Sequence, residues 1–308
     1  MLCYAKNGVV TLAKIKLLIN IILIAGLCFS ITMPAYAEGK FSLTIEHDSV
    51  KDHEQYAKYM EKKGTFRRII KALNATLNIP YNIPIIMTND DIGPNYDPET
   101  KTITLDYGDI TWSADQYDEV YPHSDKETRE YFLNNINLFS LYHELGHALI
   151  DAYNIPLVGS EEDAADGLAS VMILYYFTMG DQIILDNAFY FGALRKESGN
   201  SEDQYWDEHA LNGQRYYRLL CYAYGKSPQY VAEQLKETGS KNKNLDEFIE
   251  EKKDSCLGEY HVLNQAWFTL LKPHFKNSKE ADKAIQKINE EDDSDDSDDD
   301  SANDEDSN

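Results

Sequence analysis

The chain has 308 residues and a formal charge of −24, from 53 Asp and Glu against 29 Lys and Arg. The charge is uneven: residues 1–37 hold three lysines and no acid, residues 290–308 hold twelve acids and no base, and the 252 residues between carry a net of −15. An acidic middle argues against nucleic-acid binding through a basic face, and 43% hydrophobic content excludes a wholly disordered chain.

Lys6, Lys14 and Lys16 precede or open the apolar run 17–31, and Ala35-Tyr36-Ala37 follows as a small-x-small pattern. Residues 1–37 therefore read as a signal peptide, cut after Ala37, which delivers a periplasmic or secreted chain. The alternative is an uncleaved anchor, since a membrane span needs about 20 apolar residues. Cys28 follows Leu27, a bulkier residue than lipoprotein signals carry there, and no later segment is apolar enough to span. With Cys3 and Cys28 removed, Cys221 and Cys256 remain, and an even pair in an oxidising compartment predicts a disulfide.

Phe41–Ile45 alternates and predicts a strand. Lys51–Leu77 has helical periodicity, with Gly64 as a break. Ile83–Met87 predicts a strand, and Pro84 suggests an edge position or a late start. Turn residues fill Asp91–Pro98, and Lys101–Leu105 alternates again. After Pro122 the pattern is almost wholly helical. Ser124 with Glu127 predicts a capping box opening a helix to about Tyr153. Further helices are expected from Ser160 and over 180–197, 212–224, 228–237, 245–253 and 259–272. The fold class is α+β, with a small N-terminal sheet and a mainly helical C-terminal half. One domain is expected over 38–289, its sheet in 38–123 and its helical part in 124–289. Residues 290–308 predict a disordered, solvated acidic tail.

His143-Glu144-Leu145-Gly146-His147 is an HExxH sequence. On a helix, positions i and i+4 share a face, so both imidazoles can reach one zinc ion at about 2.0–2.1 Å. Glu144 is rotated about 100° from His143 and suits a general base on water rather than the metal. Phe132, Ile136, Phe139, His143, His147 and Ile150 form one stripe, so the histidines continue an inward face. Ile150 and Tyr153 exclude the longer HExxHxxGxxH pattern. After a turn at 154–159, Glu161-Glu162-Asp163-Ala164-Ala165-Asp166 offers four acids. Glu162 and Asp166 share a face with Ala169 and Ile173 and make that face the buried one. Asp163 fits as the capping partner of Ser160, and Glu161 suits the helix dipole. Glu162 is therefore the expected third ligand, and Asp166 the acceptor for the far nitrogen of a ligating histidine, His143 first.

HExxH followed on the next helix by ExxxD resembles the gluzincins, the thermolysin-like zinc metallopeptidases. The stretch 143–169 is also similar to a largely uncharacterised family of exported bacterial proteins read as metallopeptidases. That resemblance extends over much of 80–273, including Asn95-Tyr96-Asp97-Pro98, Asp207-Glu208-His209, Gln214-Arg215-Tyr216-Tyr217, Cys221 and Cys256. It implies a zincin-like fold with an active-site helix, and a strand, Lys101–Leu105, that lies along the cleft and pairs with extended substrate. It also implies a histidine that stabilises the oxyanion. His209 is the candidate, with Asp207 as its orienter, and Arg215, Tyr216 or Tyr217 as alternatives. The interval from His147 to Glu162 is shorter than in thermolysin. His47, His53, His123, His261 and His274 show no ligand spacing, and Phe189-Tyr190-Phe191 reads as core.

The expectation is a secreted metallopeptidase with one Zn²⁺ on His143, His147 and Glu162, and with Glu144 and His209 catalytic. Its substrate would be a peptide or protein, with no nucleic acid and no membrane after signal cleavage. The rivals are a non-catalytic zinc-binding exported envelope or interaction protein, and a zinc amidase acting on a non-protein amide.

Overall fold

The computed structural model describes residues 38–276 except 48, 90–91, 199–201 and 238–242, together with the single positions 279, 283 and 286. The expected export signal over 1–37 and the expected disordered tail over 290–308 lie outside the described residues.

The chain enters through β1 (Phe41–Ile45), then α1 (Lys51–Lys63) and α2 (Thr65–Thr76). Gly64 separates these helices at φ 67°, and its N–H closes α1 on Met60 O. A left-handed φ at that break suits a residue without Cβ. β2 (Ile83–Thr88), β3 (Asn95–Asp97) and β4 (Thr102–Asp106) complete a four-stranded sheet in the order β1-β2-β4-β3. β1, β2 and β4 run parallel, and β3 is an antiparallel edge strand on β4.

Two expectations change here. β2 is an interior strand despite Pro84. Ile83 donates its N–H to Lys40 O on the β1 side, so the imino nitrogen of Pro84 faces the other side, where pairing with β4 starts only at Ile85. β4 is interior as well, paired with β2 over Ile103–Asp106 and with β3 over Thr102–Thr104. Over Thr102–Thr104 it therefore has no free edge for an extended substrate, and the outer strand there is β3.

One face of the sheet is fully buried at Ile83, Ile85, Met87, Ile103 and Leu105. Ile85 pairs with Ile103 and Met87 with Leu105, so the apolar residues stack across strands. This face shares one core with Phe66 and Ile69 of α2 and with residues of the long helix that follows.

Asp106 ends β4 and caps α3 (Tyr107–Val120), accepting from Gly108 N at 2.6 Å. Its other oxygen accepts from Ile92 N and Gly93 N, which ties the β2–β3 loop to the same corner. α4 (Lys126–Tyr153) is the central helix. Its cap is Asp125, whose side chain accepts from Thr128 N, rather than Ser124, whose hydroxyl bonds Tyr117. Leu141, Leu145 and Leu149 carry its buried stripe into the sheet core.

α5 (Glu161–Tyr176) opens on Ser160, which accepts from Asp163 N at 3.5 Å. α4 and α5 cross closely: a Cβ on Gly146 would lie 2.9 Å from Ala165 Cα. Then come α6 (Gly180–Ser198), α7 (Asn212–Lys226), α8 (Pro228–Glu237) and α9 (Lys243–Leu271). The helices expected over 245–253 and 259–272 are one helix. Gly258 between them points into open space and breaks nothing. Cys221 of α7 and Cys256 of α9 form the predicted disulfide. Among the described residues no helix is long and apolar enough to cross a membrane.

Candidate metal centre

The C-terminal half of α4 brings His143, Glu144 and His147 against the first turns of α5. His143 and Glu144 are buried, at 5% and 6% exposure. Gly146 makes this possible, because the backbones of the two helices meet where a side chain would otherwise sit. Glu162 and Asp166, one turn apart on α5, then face His143.

Three donor atoms converge. His143 Nε2 lies 3.3 Å from His147 Nε2 and 3.1 Å from Glu162 Oε2, and His147 Nε2 lies 3.4 Å from the same oxygen. Tetrahedral ligands at about 2.0–2.1 Å from zinc are about 3.3 Å apart. The donor set therefore fits one zinc ion in spacing and in chemistry. Two imidazole nitrogens this close need a shared partner.

The far nitrogens are also held. His143 Nδ1 bonds Asp166 Oδ1 at 2.8 Å, as the sequence predicts. His147 Nδ1 bonds Glu161 Oε1 at 2.9 Å. Glu161 had a sufficient explanation in the helix dipole, yet the second histidine of the pair also needed an acceptor, and that was the signal for it. Arg215 grips Asp166 with two hydrogen bonds and lies over the Phe191 ring, 3.9 Å from its centroid. Sequence reasoning offered Arg215 only as an alternative to His209. The signal for its present role is general: a buried carboxylate beside a histidine needs a counter-charge. Asp163 pairs with Arg218.

Electrostatics follow from this packing. Burial opposes charge on His143, but the carboxylates of Asp166 and Glu162 outweigh it and raise its pKa to about 9. Burial likewise opposes ionisation of Asp166, and Arg215 and His143 overcome it, lowering its pKa to about 2. Glu162 is held well below the usual carboxylate range by three imidazoles, against the effect of burial. Glu144 goes the other way, since burial raises it.

His209 joins this group. Its Nε2 lies 2.9 Å from Glu162 Oε2, and its ring stacks 5.7 Å from that of His143. His143, Glu162 and His209 each offer a donor atom within 4.8 Å of the others. Asp207 Oδ1 accepts from the His209 backbone N–H at 2.8 Å and lies 3.3 Å from its Nδ1. His209 is more open than His143, His147 and Glu162, its side chain 44% exposed. Tyr216 and Tyr217 lie against Arg195 instead.

Two spaces meet at the centre. A cleft of about 590 Å³ is lined by β3, by His143, Glu144 and His147, and by Glu208 and His209. A side pocket of about 240 Å³ lies beyond, walled by Ile136, Phe139, Phe191 and Leu194 with Asn187, Asn212 and Arg215. Phe191 is thus core, as expected, and also part of that wall.

Neither a curated protein nor a solved structure matches the chain. A protein family described as "Putative metallopeptidase" matches residues 46–271, which include every residue of this centre. Since that match spans about three quarters of the sequence, the chain belongs to this metallopeptidase family.

Proposed function

We propose that the protein is an exported, zinc-dependent metallopeptidase of gluzincin type, with a zincin-like fold. The observation that carries this reading is the 3.1–3.4 Å spacing of His143 Nε2, His147 Nε2 and Glu162 Oε2. The mixed sheet with an antiparallel edge strand, and the long helix packed beneath it, support the fold assignment. The disulfide supports an oxidising compartment, and with it the export signal and cleavage after Ala37.

His143, His147 and Glu162 would hold the metal. When bound, zinc supplies Lewis acidity, making water a nucleophile near neutral pH and polarising the scissile carbonyl. Glu144 points from the same helix turn into the cleft, takes the proton from the attacking water and delivers it to the leaving amine. Asp166 and Glu161 fix the ring orientation of the two histidines. His209 donates Nε2–H to the developing oxyanion, with Asp207 orienting its ring.

A second reading has its own observation. His209 Nε2 stands as close to Glu162 as a metal ligand would, so His209 can close the site and make it non-catalytic. Glu144→Gln separates the two. The catalytic reading expects full zinc content and hydrolysis of dye-labelled casein lowered by at least about a thousandfold. Unchanged hydrolysis by a clean Glu144→Gln preparation refutes it. A closed site expects no hydrolysis from the unmodified chain, and zinc loss on His209→Ala.

A further inference from the structure

Asp151 lies one helical turn beyond His147 on α4, on the face that carries both histidines. It has no part in holding the metal. Its Oδ2 accepts three hydrogen bonds from separate parts of the chain: Tyr81 OH at 2.8 Å, Tyr96 OH at 2.5 Å and Lys101 Nζ at 2.7 Å. Tyr96 belongs to β3, Lys101 ends the β3–β4 turn, and Tyr81 precedes β2. Lys101 also sits 5.2 Å from the centroid of the Tyr81 ring.

β3 needs such a tie. It is three residues long and has one strand neighbour, β4. Its ladder alone fixes it weakly. The turn that follows is rigid within itself. Asp97 accepts from Glu99 N and from Thr100 Oγ1, and its carbonyl accepts from Lys101 N. Lys101 closes that turn at φ 60°, a left-handed conformation that a residue with a Cβ adopts only at a cost. β4 is held by β2, and the loop before β3 by Asp106, so what remains to be set is how closely β3 and its preformed turn approach α4. Asp151 joins it to the helix that holds the metal ligands, and Tyr96 and Asp151 both line the cleft.

We propose that Asp151 is a positioning residue that pins the β3–β4 hairpin to α4 and so sets the width of the substrate cleft. The proposal rests on the peptidase reading for its functional meaning and on this geometry for its structural content. Burial of the carboxylate opposes its ionisation, but the three donors hold it below the usual range, so it stays anionic through neutral pH. A cleft of the right width holds extended peptide against the metal without touching the reacting atoms. Loss of the pin therefore raises KM and leaves zinc in place.

The test uses the full chain with Asp151→Ala, Asp151→Asn and Tyr96→Phe. Amide exchange across residues 95–104 is compared with that of β1, zinc content is measured, and KM and kcat are taken on dye-labelled casein. The proposal expects faster exchange confined to 95–104, one zinc per chain, and a KM raised about tenfold in Asp151→Ala with kcat within about twofold. It expects smaller changes of the same kind in the other two variants. Unaltered exchange in the hairpin overturns it, and so does a fall in kcat with KM unchanged. If Asp151→Ala fails to fold, Tyr96→Phe gives the same reading. If the unmodified chain cleaves no casein, the peptidase reading fails while the exchange result still decides the pin.

Discussion

Arg215 holds Asp166 by a two-pronged ion pair, Nε to Oδ2 at 2.8 Å and Nη2 to Oδ1 at 2.7 Å. Both side chains are about nine-tenths buried, and Asp166 spends its remaining capacity on His143 Nδ1. The chain of contacts therefore runs from α7 through α5 to the His143 imidazole on α4. A buried carboxylate that loses its cation is left uncompensated, at a cost of about 3–5 kcal/mol. Arg215→Met should lower the unfolding free energy by about that amount in urea titrations and weaken zinc binding about 10–100-fold. Arg215→Lys keeps the charge but not the fork, so it should fall between the two.

Gly146 gives a test of the helix crossing. Glycine to alanine inside a helix ordinarily stabilises by about 1 kcal/mol. Here the added Cβ would meet the Ala165 backbone at 2.9 Å, and neither helix can yield there without moving Glu162. Overpacking of this kind costs about 1–3 kcal/mol. Gly146→Ala should therefore lower both the melting temperature and the zinc affinity. A higher melting temperature with unchanged zinc affinity would show that the crossing is looser than the structure has it.

The parts of the structure differ in how far the sequence revealed them. The HExxH stripe, the capped start at Ser160 and the ExxxD face are local patterns of periods three and four, so His143, His147, Glu162 and Asp166 were readable. Arg215 lies 49 residues from Asp166, and no local period connects them. The Gly64 break and the Cys221–Cys256 pair were readable because each follows from one residue type in context. β3 was not, since three residues within a turn-rich segment carry no alternation. α3 was missed for a related reason. Its buried stripe, Tyr107, Ile110, Ala114 and Tyr117, holds one aliphatic residue larger than alanine, and its start depends on the Asp106 side chain. The continuity of α9 through Gly258 depends on the absence of any neighbour there, which only the packing shows.

Asp186 makes stability depend on pH. It is 9% exposed on α6 and accepts from Asn135 and Gln182, and neither donor carries a charge. Burial raises its pKa from 3.8 to about 6. The folded state thus favours the protonated acid. The stability this gives is fully present below the unfolded value and is lost as pH rises through about 6. Unfolding free energies of the unmodified chain should fall by about 3 kcal/mol relative to Asp186→Asn between pH 3.5 and pH 7. A constant difference between the two proteins across that range would show that Asp186 does not change protonation on unfolding.

The disulfide joins α7, which carries Arg215, to α9. It closes a sequence separation of 35 residues, worth about 4 kcal/mol in the chain-entropy model. Cys221→Ser with Cys256→Ser should lower the melting temperature markedly and leave the zinc stoichiometry intact, because neither sulfur faces the metal centre.

The central claim is that His143, His147 and Glu162 form one zinc site. The most direct test is metal analysis of the purified full-length chain beside its His147→Ala variant. The account predicts one zinc per chain in the first and a large loss in the second. A chain that purifies without zinc and binds none on addition, or a variant that retains full zinc content, would contradict it.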